Sequence, residues 1–155
     1  QITYETSSKA IFIGSQPGQA LYLTEELIPK QEFYGTIVKL DYVDKLKMLG
    51  TSYDTGFVVE SGGVIEFQLD EKYEKLTMDM GITGRVASKA VIPVEIYRDG
   101  RLYDTYFLLG SDNSPKKIEL SLKGIQSLKI QLDDWDEGTA NVALGNPMIT
   151  KMVSQ

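Results

Sequence analysis

The chain has 155 residues, 42% of them apolar, with 16 basic against 22 acidic side chains and a formal net charge of −6. That length suits one domain with a real core, and the acidic balance argues against nucleic acid and against an anionic membrane surface, both of which demand clustered Lys and Arg. Cysteine and histidine are both absent, which excludes disulfides, thiol nucleophiles, Cys/His zinc sites and histidine general bases while leaving the compartment open.

The opening Gln-Ile-Thr-Tyr is no signal peptide and reads as the start of an excised or processed fragment. No stretch approaches the ~20 apolar residues of a membrane span. Residues 1–19 hold one apolar run, Ala10–Ile13, followed by the loop Gly14–Gly18. They read as a lead-in segment or an edge strand, with the domain proper over 20–155. Leu21 and Leu23 flank Tyr22 and can begin a strand. Thr24 is an N-cap candidate with Glu25 and Glu26 in the first turn, and Pro29 stops what is at most one helical turn.

Thr36–Val43 alternates, with Val38, Leu40 and Tyr42 set against Lys39 and Asp41, and predicts a strand. Asp44–Gly50 reads as a loop or short turn. Gly56–Val59 starts the next strand and Gly62-Gly63 breaks it. Val64–Leu69 follows with Ile65, Phe67 and Leu69 inward. Asp70–Tyr73 is a turn. Lys75–Ile82 repeats the pattern through Leu76, Met78, Met80 and Ile82, where methionine serves as core filler. Thr83–Lys89 is a polar loop holding Gly84 and Arg85.

Val91–Leu109 carries the strongest hairpin signal, two β-rich runs around Asp99-Gly100. A two-residue loop pairs Ile96 with Tyr103 and Val94 with Thr105 and sets Glu95 opposite Asp104, an unfavourable like-charge pair. A three-residue loop with a bulge therefore stays open. Gly110–Pro115 is a loop, and Lys117–Leu122 alternates with Ile118, Leu120 and Leu122 inward. Leu128, Ile130 and Leu132 form another strand. Asp133–Thr139 is an acidic loop, and Asn141–Met152 closes the chain, interrupted at Gly145-Asn146-Pro147. Roughly eight to ten short strands with period-2 patterning and no sustained helical period predict an all-β fold, an antiparallel β-sandwich or jelly roll.

Asp133-Asp134-Trp135-Asp136-Glu137 is the most chemically loaded stretch. A flat indole beside carboxylates suits a sugar: the ring stacks on C–H faces and the acids accept hydroxyl protons. Its alternative is a solvated loop whose Trp packs over the sandwich end. Tyr53, Tyr103, Arg85 and Asn141 are candidate partners, although the nine tyrosines also suit strands for packing reasons alone. Asp133, Asp136 and Glu137 have a spacing that calcium tolerates, but ordinary surface acidity explains them too, and no Asp-X-Asp-X-Asp-Gly loop exists. Acid pairs such as Glu25-Glu26 and Asp133-Asp134 read as surface charge rather than as a glycosidase pair. Neither a Gly-rich phosphate loop nor a Gly-X-Ser-X-Gly elbow is present, so the chain does not read as an enzyme.

The order of landmarks resembles a known family. Leu21–Thr24, Gly35, Tyr53–Phe57, Ile65–Leu69, Tyr73–Leu76, Met80–Ile82, Asp99-Gly100 with Leu102-Tyr103, and Leu128–Asp133 together resemble the NPCBM family of carbohydrate-binding modules over about residues 20–150. The resemblance implies a galactose-binding-like β-sandwich, an accessory module of secreted bacterial glycoside hydrolases and surface proteins. Such modules bind sugar through loops at one end and do no chemistry, and some relatives hold a structural calcium. Members commonly carry a histidine where Val58-Val59-Glu60 stands here. They commonly read His-Ala-Asp-Trp where Asn141–Leu144 stands, the Trp being a loop platform for a pyranose ring. The expected function is a non-catalytic carbohydrate-binding module of a longer, extracellular or surface-attached bacterial protein. The alternative is a structural or protein-interaction sandwich on a bacterial surface whose sugar site has decayed.

Overall fold

The computed structural model describes residues 18–133 and 140–153. In chain order these are β1 (Ala20–Tyr22), α1 (Leu23–Glu26), β2 (Gln31–Val38), β3 (Leu46–Met48), β4 (Thr51–Tyr53), β5 (Gly56–Gln68), β6 (Tyr73–Thr83), β7 (Val91–Arg98), β8 (Arg101–Leu109), β9 (Lys116–Ser121), β10 (Ser127–Leu132) and β11 (Asn141–Lys151). Every pairing is antiparallel. The main sheet runs β9-β6-β11-β5-β10-β7-β8, with β1 added to β11 and β2 to β5.

This continuous ladder becomes two layers because β5 changes partner midway. Gly56–Val59 pairs with Val142–Gly145 of β11, whereas Val64–Gln68 pairs with Ser127–Gln131 of β10. Gly62-Gly63 sits at the change. Gly62 has φ +74, and a Cβ on Gly63 would lie 2.4 Å from Val59 Cγ1, so the bend has room only for glycine there. The predicted break is thus a bend within one continuous strand. Phe57 and Phe67, from the two halves, meet edge-to-face with centroids 5.7 Å apart inside the fold.

The inner faces carry the residues the alternation predicts. Leu76, Met78, Met80, Ile118, Leu120 and Leu144 line one layer; Ile65, Phe67, Ile92, Val94, Ile130 and Leu132 line the other, all buried. The all-β antiparallel sandwich is therefore the fold of this chain. No helix among the described residues is long and apolar enough to cross a membrane.

Several local expectations are corrected. The first long strand begins at Gln31 and ends at Val38, so Leu40 and Tyr42 are exposed. The Thr55 hydroxyl donates to the Val38 carbonyl, and β5 begins only at Gly56, so residues 39–43 have no strand to pair with. Thr24 does not cap α1: Tyr22 holds that position, and Thr24 is buried with its hydroxyl bonded to that of Thr55. Asp44–Gly50 is not a plain loop but contributes β3 and the turn to β4. Gly145-Asn146-Pro147 is a bulge inside β11 rather than its interruption.

The hairpin resolves its charge conflict in an unexpected way. The loop is two residues, with φ +52 at Asp99 and +80 at Gly100, and a bulge falls at Tyr103. Glu95 then faces Thr105, while Asp104 faces Ile96. The two-residue loop therefore does not force the expected Glu95–Asp104 pair, because the bulge, expected only with a three-residue loop, separates the like charges. Of the lead-in, only Gly18 and Gln19 are described, each bonded to the backbone of Lys151; residues 1–17 lie outside the described residues.

Candidate functional site

The sandwich has two ends. At one lie the turn after β5, the Asp99-Gly100 turn and the loop between β9 and β10. At the other lie the β6–β7 and β8–β9 connections, the end of β10 and the start of β11, beside the bend in β5. The second end carries the candidate site.

There the β6–β7 and β8–β9 loops cross in close contact. The Gly110 N–H donates to the Ala90 carbonyl at 2.8 Å, and a Cβ on Gly110 would fall 2.0 Å from the Ala87 carbonyl oxygen. The Leu109 N–H donates to Asp112 Oδ2 at 3.0 Å. These ties make the loop geometry pre-formed, as a binding site requires. Between the loops is a cavity of about 320 Å³ with an apolar wall of Leu49, Ile82, Val86 and Leu109, bordered by Arg85 and Asp112. An apolar wall bracketed by one guanidinium and one carboxylate offers a surface for C–H groups, donors and an acceptor together.

Asn141 lies at the same end. It opens β11 opposite Thr83, beside the start of the Gly84-Arg85 loop. Asp133 closes β10 at this end too, its carbonyl accepting the Gly62 N–H at 3.4 Å. Trp135, Asp134, Asp136 and Glu137 lie outside the described residues; the described flanks of their loop, Asp133 and Ala140, both belong to this end. Among the described residues no cluster of three or more acidic, His or Cys side chains could hold a metal. Two of the three expected calcium ligands, Asp136 and Glu137, fall outside them.

Two candidate partners stand elsewhere. Tyr53, only 4% exposed, lies on the outer face of the β6–β11 layer. Its hydroxyl donates to Asp79 Oδ2 at 2.7 Å, and Lys117 Nζ donates to the same oxygen at 3.0 Å. Burial first, then the Asp79 hydrogen bond and charge, push the Tyr53 hydroxyl up to about 12. Tyr53 thereby pins the β3–β4 hairpin onto the sheet, its ring filling the space over Gly145 while Met48 covers Gly81. Tyr103 lies at the opposite end with the Arg98 guanidinium 3.6 Å above its ring centre.

Leu144 also departs from expectation. It is fully buried in β11, so this position faces the core of the sandwich and not a loop. A side chain there is packing, and its identity says little about a sugar platform. Asp112, Leu49 and Val86 were missed from the sequence. Asp112 sat unremarked in a loop, and Leu49 reaches the site from a hairpin that read as irregular.

A family model for the NPCBM/NEW2 domain matches residues 25–148. No curated protein sequence matches the chain. Among solved structures, CBM51 from Clostridium perfringens GH95 in complex with methyl-galactose is similar at 20% identity and TM-score 0.65, covering 85% of this chain and 100% of that one. CBM51-2 with the INT domains of Clostridium perfringens ZmpB, in complex with GlcNAc, is similar at 14% identity and TM-score 0.71, covering 88% of this chain and 32% of that one. The M60 catalytic domain of ZmpB with CBM51-1 and CBM51-2 is similar at 19% identity and TM-score 0.68, over 89% of this chain and 16% of that one. At such identities these structures speak for the shared sandwich, and the chain spans only a fraction of the two longer ones. With the family model covering most of the described sandwich, the chain belongs to the NPCBM/NEW2 domain family.

Proposed function

We propose that the chain is a non-catalytic carbohydrate-binding module of a larger bacterial protein that is secreted or held at the cell surface. The sugar sits at the loop end. The observation that carries this reading is the pre-formed cavity bordered by Arg85 and Asp112, at the end of the sandwich where Asn141 opens β11 opposite Thr83. Arg85 donates to ring hydroxyls, Asp112 accepts from them, Asn141 does both, and Trp135 supplies the stacking face. Family membership supports the reading, as do relatives solved with methyl-galactose and GlcNAc. Among the described residues one carboxylate, Asp112, lines this cavity, whereas glycoside hydrolysis needs a facing pair. Affinity per module is low and the parent chain supplies avidity.

A glycan array with the chain displayed multivalently tests this. Binding that falls on Trp135→Ala and on Arg85→Ala supports it; array-wide silence overturns it. Asp133, Asp136 and Glu137 carry the companion proposal of a structural calcium, which requires a calcium-dependent rise in Tm that Asp136→Asn abolishes. One observation favours a protein-interaction role instead. Val91, Phe107 and Leu109 share the outer face of the β7–β8 hairpin at 51, 54 and 39% exposure. Array silence combined with loss of a surface-protein contact on Phe107→Ser would move the assignment there.

A further inference from the structure

At the end opposite the loop cavity, Arg98 and Arg101 stand directly across from each other as the pair that closes the Asp99-Gly100 turn. Like charges in that position repel. In a chain of net charge −6, carboxylates to neutralise them are plentiful, yet neither guanidinium forms an ion pair among the described residues. Asp99 lies between them in sequence, but its Oδ1 accepts the Gln126 and Ser127 N–H groups, each at 2.8 Å, and is committed to the backbone. Arg98 is held in place by the Ser121 carbonyl at 2.9 Å and by the Tyr103 ring at 3.6 Å. Both arginines border a cleft of about 570 Å³ that Asp99 also lines, leaving the two guanidiniums in excess over one carboxylate, with Leu102, Tyr103 and Ile125 as its apolar part.

We propose that this cleft is a second ligand site, taking the carboxylate of an acidic saccharide such as a uronate. The saccharide part of the assignment rests on the carbohydrate-binding reading; the anionic part rests on the arginine pair. A guanidinium fixed by stacking presents its remaining N–H groups as a fork that matches a carboxylate. An anion bound beside Arg98 and Arg101 offsets their mutual repulsion. The apolar side chains beside them cover the C–H face of the sugar ring. The module then holds neutral sugar at one end and acidic sugar at the other.

The test is a titration of the ¹⁵N-labelled chain with trigalacturonate, monitored at the amides of Asp99–Tyr103 and the Nε–H of Arg98 and Arg101. Galactotriose, sodium sulfate and hexaglutamate are the comparison probes. Trigalacturonate is expected to move these resonances saturably, with weaker binding at roughly 200 mM than at 20 mM salt. Arg101→Gln, an exposed change that leaves the fold intact, is expected to weaken binding roughly tenfold. Arg98→Lys keeps the charge but not the fork and weakens it too, whereas Arg85→Ala leaves it unchanged. Absence of saturable shifts, indifference to Arg101→Gln, or the same shifts from galactotriose overturns the site. Equal affinity for sulfate or hexaglutamate overturns the assignment to a saccharide. Failure of the loop-end site appears separately, at Gly84, Arg85 and Asp112.

Discussion

Replacing Tyr53 by Phe removes one hydroxyl and leaves the ring over Gly145 in place. At neutral pH the loss is the 2.7 Å bond to Asp79, whose carboxylate remains paired with Lys117. A hydrogen bond to a charged acceptor is worth about 1.5–3 kcal/mol, and the lower figure suits a carboxylate that solvent and a lysine also reach. We expect Tyr53→Phe to cost about 1.5 kcal/mol, a fall in Tm of about 4 °C for a domain of this size. At high pH the sign reverses. The Tyr53 hydroxyl ionises at about 12 in the fold against 10.0 when free, so the folded state keeps a proton that the unfolded state has released. Its contribution is fully present below pH 10 and is lost as pH rises towards about 12, a loss of roughly 2–3 kcal/mol. Phe has nothing to ionise. The two stability curves should therefore cross near pH 11, with the variant more stable above about that pH by roughly 1 kcal/mol. Tyr73, raised by burial and by Glu26, titrates alike in both proteins and cancels. Urea denaturation at a series of pH values measures this; parallel curves with no crossing would refute the claim that Tyr53 pins the hairpin through a buried, protonated hydroxyl.

Gly145→Ala would place a Cβ 2.6 Å from the Tyr53 ring; it should cost about 1–3 kcal/mol by overpacking, and a double-mutant cycle with Tyr53→Ala should recover most of it. Asp99→Ala strains a residue at φ +52 and orphans the N–H groups of Gln126 and Ser127. A drop of about 1–2 kcal/mol in urea is expected, since both bonds are exposed to water, with a smaller one for Asp99→Asn, which tolerates that φ. Asp112→Ala should abolish array binding while costing only about 1 kcal/mol of stability, since its bond to the Leu109 N–H is exposed. Retained binding would remove Asp112 from the site.

Much of the architecture was legible because alternation is a local property. Leu76, Met78 and Met80, or Leu128, Ile130 and Leu132, share a face in any extended chain, and each set is buried here. The turn at Asp99-Gly100 was equally local, since only the conformation of those two residues decides it. The β3–β4 hairpin was not legible. Its strands are three residues each, too short for a period to show, and its value lies in Gly81 and Gly145, far away in sequence, leaving space for Met48 and Tyr53. The candidate site divides in the same way: Arg85, Asn141 and Asp133 could be named from residue type and loop position, but nothing local separated their end from that of Tyr103.

By itself, then, the order of residues determined which side chains turn inward and where the chain reverses, because both depend on neighbours along the backbone. Partner exchange along β5, the bulge that moves Asp104 away from Glu95, and the gathering of Leu49, Arg85 and Asp112 around one cavity were decided only by tertiary structure. Those features depend on hydrogen bonds and close contacts between segments tens of residues apart, whose geometry exists only once the two layers have closed over a common core.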